Sequence, residues 1–135
     1  MSEHAAYPYT LPQPVVLEGE VIGGKRLGHT LGFPTANLAP EGCEDIPRGI
    51  YASRVRIGDE SYIAVSNVGV RPTVDGDTAN CETHIIDYEG DLYGKHIQVS
   101  LVALLRDEMR FSSVEELRLA IEGDVRCAVS YFKKT

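Results

Sequence analysis

Cysteine is sparse in this chain of 135 residues: Cys43, Cys81 and Cys127 make an odd number, and no two form a Cys-x-x-Cys pair. That excludes a disulfide framework and a clustered zinc site. Cys81 lies in a strand-like run and Cys127 in a helical one, so both are expected to be small buried side chains. Long apolar runs are missing too. No stretch approaches the roughly 20 residues that span a bilayer. The first residues lack the basic start and apolar centre of a secretory signal. A cytoplasmic location with no membrane partner is the expectation. Positive charge is scarce, with 13 basic against 20 acidic residues and a net charge of −7. No basic stripe of the kind that tracks nucleic-acid phosphates is visible, so no nucleic acid is expected. No segment repeats, no His/Asp/Glu spacing marks a zinc hydrolase, and no Walker loop is present.

What remains is an ordinary globular composition, 43% hydrophobic and 24% charged, long enough for one domain with a real core. Tyr7, Pro8, Tyr9, Pro12 and Pro14 make residues 1–14 read as an extended lead-in or linker remnant, with the domain running over 15–135. Strands are expected over 15–22, 49–57, 62–68, 80–86 and 95–105, the second and third joined at Gly58-Asp59 as a hairpin. Residues 69–79, with Arg71-Pro72-Thr73 and Asp75-Gly76-Asp77, read as a long functional loop. Short turns between antiparallel neighbours favour a barrel or a sandwich over a parallel sheet. One helix is expected over 113–133, capped by Ser112 and Glu115. Its apolar face would be Val114, Leu117, Ile121, Val125, Ala128 and Phe132. Gly123 in its middle costs about 1 kcal/mol relative to alanine, so a close packing contact is expected there. Asp124, bordering the stripe, suits a structural hydrogen bond first and catalysis second.

Three stretches carry chemistry. Residues 28–37, GHTLGFPTAN, follow a strand as a loop. Gly28 and Gly32 let backbone approach an anion, and Lys25, Arg26 and His29 add local positive charge. The Thr35 hydroxyl and Asn37 amide oxygen are hard ligands suited to Mg²⁺. An ordinary Gly/Pro turn is the alternative. In the second stretch, Cys81-Glu82-Thr83-His84-Ile85, strand alternation puts Glu82 and His84 on one face and the other three on the opposite face. Glu82 on a barrel wall is a candidate general base. The alternatives are a solvated glutamate paired with His84, or His84 itself as the base. The third stretch, 106–111, combines a guanidinium, a thioether and an aromatic ring able to grip a flat heterocycle. Equally, Phe111 suits a hydrophobic staple at the helix start. Asp87, Glu89 and Asp91 gather at a turn, and the last two read as solvated.

Taken together, these pieces resemble the riboflavin kinase family. The matching segments are 23–38 (GGKRLGHTLGFPTANL), 48–52 (RGIYA), 67–74 (NVGVRPTV), 82–87 (ETHIID), 91–94 (DLYG), 105–117 (LRDEMRFSSVEEL) and 121–124 (IEGD). The resemblance implies a mainly β fold, a six-stranded antiparallel Greek-key barrel with a C-terminal helix alongside. It implies transfer of the γ-phosphoryl of ATP to the ribityl 5′-hydroxyl of riboflavin, giving FMN and ADP with Mg²⁺, or else Zn²⁺ or Mn²⁺. Glu82 matches the catalytic base, which displaces the reading of a solvated glutamate. Thr35 and Asn37 match the metal-holding positions. Gly23 and Thr35, with Ile85, Asp87 and Tyr93, fall on nucleotide-contacting positions, beside Gly28, His29 and Gly32 of the glycine loop. Arg106, Met109 and Phe111 fall on flavin-contacting positions. His29 departs from the usual Arg or Lys, and Met109 from a common lysine. The His-x-Gly-His signature of the bifunctional relatives is missing, so FMN but not FAD is the expected product, made by a monomer. The rival reading is a flavin- or nucleotide-binding barrel without kinase activity.

Overall fold

The computed structural model describes residues 7–22, 35–38, 43, 45–73 and 76–134, with backbone alone for 71–73 and 76–78. Among them are six strands, β1 (Tyr9–Ile22), β2 (Ala36–Leu38), β3 (Gly49–Ile57), β4 (Glu60–Thr73), β5 (Gly76–Ile85) and β6 (His96–Arg106), followed by helix α1 (Val114–Lys133). The strands close a barrel in the order β1-β2-β5-β4-β3-β6, with every neighbouring pair antiparallel. Hairpins join β3, β4 and β5, and β6 returns to lie beside β3, which is a Greek key. The expected fold is the observed one.

Alternation sorts the side chains. Leu17, Val21, Leu38, Val55, Val99 and Leu101 fill the barrel interior. Polar residues inside are matched to one another: Ser66 Oγ lies 2.8 Å from both Ser53 Oγ and Thr83 Oγ1. These mutual bonds satisfy hydroxyls that would otherwise be costly to bury. Burial pushes the Cys81 thiol up to about 12, so it stays protonated and unreactive. Cys127 differs from expectation. It is exposed, because the position that faces the barrel is the next one, the fully buried Ala128.

A second apolar cluster, Ile50, Ala52, Val65, Ala103, Leu105 and Ala128, lies on the outer face beneath α1. Two irregularities in β6 create it. Opposite β3, the register skips Val102 between the Ala52↔Ala103 and Ser53↔Leu101 pairs, and Leu105 between Ile50↔Arg106 and Tyr51↔Leu104. Each bulge shifts strand parity by one residue. Leu101 and Leu104 therefore point inward, while Ala103 and Leu105 pack outward.

Several boundaries differ from the sequence reading. Residues 69–73 and 76–79 are not loop: they extend the β4–β5 hairpin, paired from Gly69↔Asn80 to Thr73↔Gly76. Continuous pairing outweighs the local turn chemistry of Pro72 and Asp75-Gly76. Strand β1 starts at Tyr9, and the irregular register against β6 between Thr10 and Val15 spans Pro12 and Pro14, which lack an N–H to donate. β2 occupies three residues read as loop, too few for periodicity to reveal.

The α1 cap sits one residue later than expected. Ser113 Oγ accepts from Glu116 N at 3.1 Å, and Glu116 Oε1 accepts from Ser112 N and Oγ at 3.0 and 2.8 Å. The run Ser112-Ser113-Val114-Glu115-Glu116 offers the capping spacing twice, and the second register is used. Val114 is exposed, not part of the apolar face, and only Asp124 and Ala128 of the helix are buried. Gly123 makes no close contact, since an added Cβ would find its nearest atom, Arg126 Nη2, at 3.8 Å.

Candidate functional site

A cavity of about 220 Å³ lies between the outer barrel face and α1. Its barrel side comprises Thr35, Ile50, Val65, Asn67, Glu82 and His84. Its other side is Arg106 and the segment after it, with Glu108, Met109 and Phe111, and then Leu117, Ile121 and Asp124 of α1. Leu117 and Ile121 stay half-buried because they border this space rather than the core.

Sheet register assembles the polar wall. Asn37 pairs with Glu82, Glu82 with Asn67, Asn67 with Ile50, and Ile50 with Arg106. One cross-strand row thus sets two amides beside a carboxylate, with an apolar side chain and a guanidinium beyond. A slip of one residue in β5 would turn Glu82 into the interior, where Cys81 and Thr83 now lie fully buried. Glu82 and His84 share the outer face, as alternation requires, and both are half-buried.

Asn37 is buried, and its Oδ1 accepts from Asn80 Nδ2 at 3.2 Å. That bond orients the amide, whose oxygen is a neutral hard acceptor. Thr35, half-buried, contributes a hydroxyl to the cavity wall. Two neutral hard oxygens fit a divalent cation whose other ligands are phosphate oxygens and water. Among the described residues, no group of three or more His, Cys, Asp or Glu comes together as a closed metal cage.

Arg106 anchors the far wall. Its Nε and Nη2 donate to the two Asp124 carboxylate oxygens, each at 2.8 Å, and its Nη1 donates to the Asp107 carbonyl at 3.0 Å. This two-pronged pair ties β6 to α1 and gives Asp124 the structural role expected first. The Phe111 ring centroid lies 5.8 Å from Arg106 Cζ, and Met109 is exposed at the rim.

Five expected site residues therefore meet at one cavity: Thr35, Glu82, Arg106, Met109 and Phe111. Others lie elsewhere. The Ile85 side chain is buried in the barrel core, facing away from the cavity. Asp87, at φ 63°, and the exposed Tyr93 stand in the β5–β6 connection. Gly23, Gly28, His29 and Gly32 fall outside the described residues. Two lining residues, Asn67 and Glu108, were not singled out from sequence. Alternation along β4 places Asn67 on the face of Val65, but its neighbour Glu82 emerges only from register.

The family model described as "Flavokinase: Riboflavin kinase" matches residues 11–132. The chain is 40% identical over 126 residues to the bifunctional riboflavin kinase/FMN adenylyltransferase of Escherichia coli (strain K12), covering 93% of this chain and 40% of that protein. It thus spans well under half of that relative's length. It is 34% identical over 119 residues to the RNA-binding riboflavin kinase RibR of Bacillus subtilis (strain 168), covering 87% of this chain and 51% of that one. The crystal structure of riboflavin kinase from Trypanosoma brucei is similar in fold, with a TM-score of 0.67 at 23% identity, covering 90% of this chain and 82% of that one.

Proposed function

The chain belongs to the riboflavin kinase family, a family of ATP-dependent kinases, and from that premise we propose that it transfers the γ-phosphoryl group of ATP to the ribityl 5′-hydroxyl of riboflavin. FMN and ADP are the products. The observation that carries this reading is the register row of Asn37, Glu82 and Asn67, the last two on the wall of a cavity whose opposite side includes the apolar and aromatic side chains of Met109, Phe111, Leu117 and Ile121. A flavin needs both surfaces, one for its ring and one for its reacting hydroxyl.

Phosphoryl transfer is chiefly a matter of positioning and charge stabilisation. Phe111, Leu117 and Ile121 receive the flat ring, and the Arg106–Asp124 pair holds that wall in place. Glu82 then orients the 5′-hydroxyl and takes its proton as the oxygen bonds to the γ-phosphorus. The bond to the β–γ bridging oxygen breaks and ADP leaves. Thr35 and Asn37 would hold the divalent cation, Mg²⁺ in the first instance, which would offset phosphate charge that a protein of net charge −7 would otherwise repel. The glycine loop, His29 included, lies on the nucleotide side. Ile85 can meet a nucleotide only through its backbone, since its side chain is in the core. Asp87 and Tyr93 would border the nucleotide from the β5–β6 connection.

We assign no FMN-adenylylating step, no nucleic-acid partner and no second subunit to these residues, and take the protein to act in the cytoplasm. The test is product formation from riboflavin and ATP with Mg²⁺, Zn²⁺ or Mn²⁺ in turn, separated by chromatography. FMN is expected. Tight flavin binding without FMN under any of the three metals would make the barrel a binding module and end the kinase reading. FAD formed from added FMN and ATP would overturn the single-step assignment.

A further inference from the structure

We propose that Glu108 recognises the polyol chain of the flavin, and that Gly69 is glycine so that the Glu108 carboxylate can reach it; the inference rests on the riboflavin kinase reading. Gly69 follows Asn67 by two residues on β4, so both face the cavity side. Gly69 is buried and is not among the positive-φ glycines, so its backbone conformation is open to any residue. What the position requires is the missing side chain. A Cβ there would collide with Glu108 Oε2 and lie 3.5 Å from Asn67 Oδ1. The carboxylate and the amide therefore converge on the space above Gly69.

Both groups are available to a ligand. Neither the Glu108 carboxylate nor the Asn67 amide has a hydrogen-bond partner among the described residues, and both line the cavity with Glu82. An ionised carboxylate only accepts, whereas an amide both donates and accepts. Side by side, they match successive hydroxyls, each of which can do either. The ring's imide N–H is also a donor, so it competes for the same acceptor. Register favours the polyol. Asn67 is the direct cross-strand partner of Glu82, and Glu82 must meet the terminal hydroxyl, so the groups beside Glu82 meet the adjoining carbons. The ring is left to the apolar surface of Phe111, Leu117 and Ile121.

Flavin binding, followed by fluorescence quenching for riboflavin and for lumiflavin, which lacks the polyol, separates the two. In Glu108→Gln, a change at an exposed residue that leaves the barrel intact, riboflavin affinity should fall roughly tenfold, the scale of one charge-assisted hydrogen bond. Lumiflavin affinity should change less than about twofold, and KM for riboflavin should rise with kcat nearly constant, as lost uniform binding predicts. Gly69→Ala should reproduce the loss by displacing the carboxylate, and combining the two changes should add little. Equal losses for both flavins would assign Glu108 to the ring and overturn the proposal, as would unchanged riboflavin affinity in Glu108→Gln. Binding is read without turnover, so a wild-type protein that prefers riboflavin and responds to Glu108→Gln, yet makes no FMN, supports this assignment while ending the kinase reading.

Discussion

Glu82 stands in a strand whose neighbours on either side, Cys81 and Thr83, are fully buried, while its own side chain reaches the cavity. The amides of Asn37 and Asn67 flank it in register. Replacement by Gln keeps shape and removes proton affinity, so Glu82→Gln should lower kcat by roughly 10²–10⁴-fold, the usual worth of a general base, while riboflavin still binds. Steady-state rates paired with a fluorescence titration check both halves. Near-normal turnover would pass the role to His84, which shares the face and the cavity. Alternation in the Cys81–Ile85 run made that shared face legible in the sequence, since parity needs no partner strand. Asn67 and Glu108 were not legible as site residues. Asn67 acquires its neighbour from a register set by the whole sheet, and Glu108 acquires its place from a glycine 39 positions earlier. Cys127 shows the complementary error. Its helical context is right, but a stripe of one or two residues per turn leaves one position of uncertainty, and Ala128 occupies the buried one.

Among the elements, α1 departs most from a simple amphipathic helix. Its barrel-facing side divides between true packing at Ala128, a polar anchor at Asp124 and cavity lining at Leu117 and Ile121. Apolar periodicity reports all of these as one stripe, because core and ligand surface use the same side chains. The long β4–β5 hairpin and the short β2 escaped notice for the opposite reason, since pairing partners rather than local propensity create them. Gly123 is the informative position. A mid-helix glycine earns an expectation of tight packing, yet the space beside it holds only the end of the Arg126 side chain at 3.8 Å. Alanine should therefore gain the helix propensity and lose nothing. Gly123→Ala is expected to stabilise the protein by about 0.5–1 kcal/mol, seen as a higher urea midpoint at unchanged m-value. Riboflavin affinity should stay the same. A lower midpoint would mean that a close contact does use this glycine.

At the scale of the whole molecule, the barrel closes through β1 and β6, and the first described residues also fasten the site's far side by hydrogen bonds. Tyr7 Oη donates to Asp107 Oδ1 at 2.8 Å, one residue before Glu108, and Thr10 Oγ1 lies 2.6 Å from Tyr131 Oη on α1. Tyr9 and Thr10 pair with Leu104 and Ala103, next to the β6 bulge that re-aims Leu105 and Arg106. The Tyr/Pro-rich composition reads as an extended lead-in, whereas Tyr9 and the residues after it belong to β1; composition cannot say that a segment has a strand to pair with. Two truncations separate a passive lead-in from a working strand. Removing residues 1–6 should leave Tm within about 2 °C of the full chain. Removing residues 1–14 deletes both side-chain bonds and the strand pairing at roughly 1 kcal/mol per hydrogen bond, and should lower Tm by about 10 °C. Riboflavin affinity should fall with it, because the segment carrying Glu108, Met109 and Phe111 loses its tether. If the longer truncation melts and binds like the full chain, the barrel domain starts at residue 15 and the Tyr7 and Thr10 contacts contribute nothing to closure.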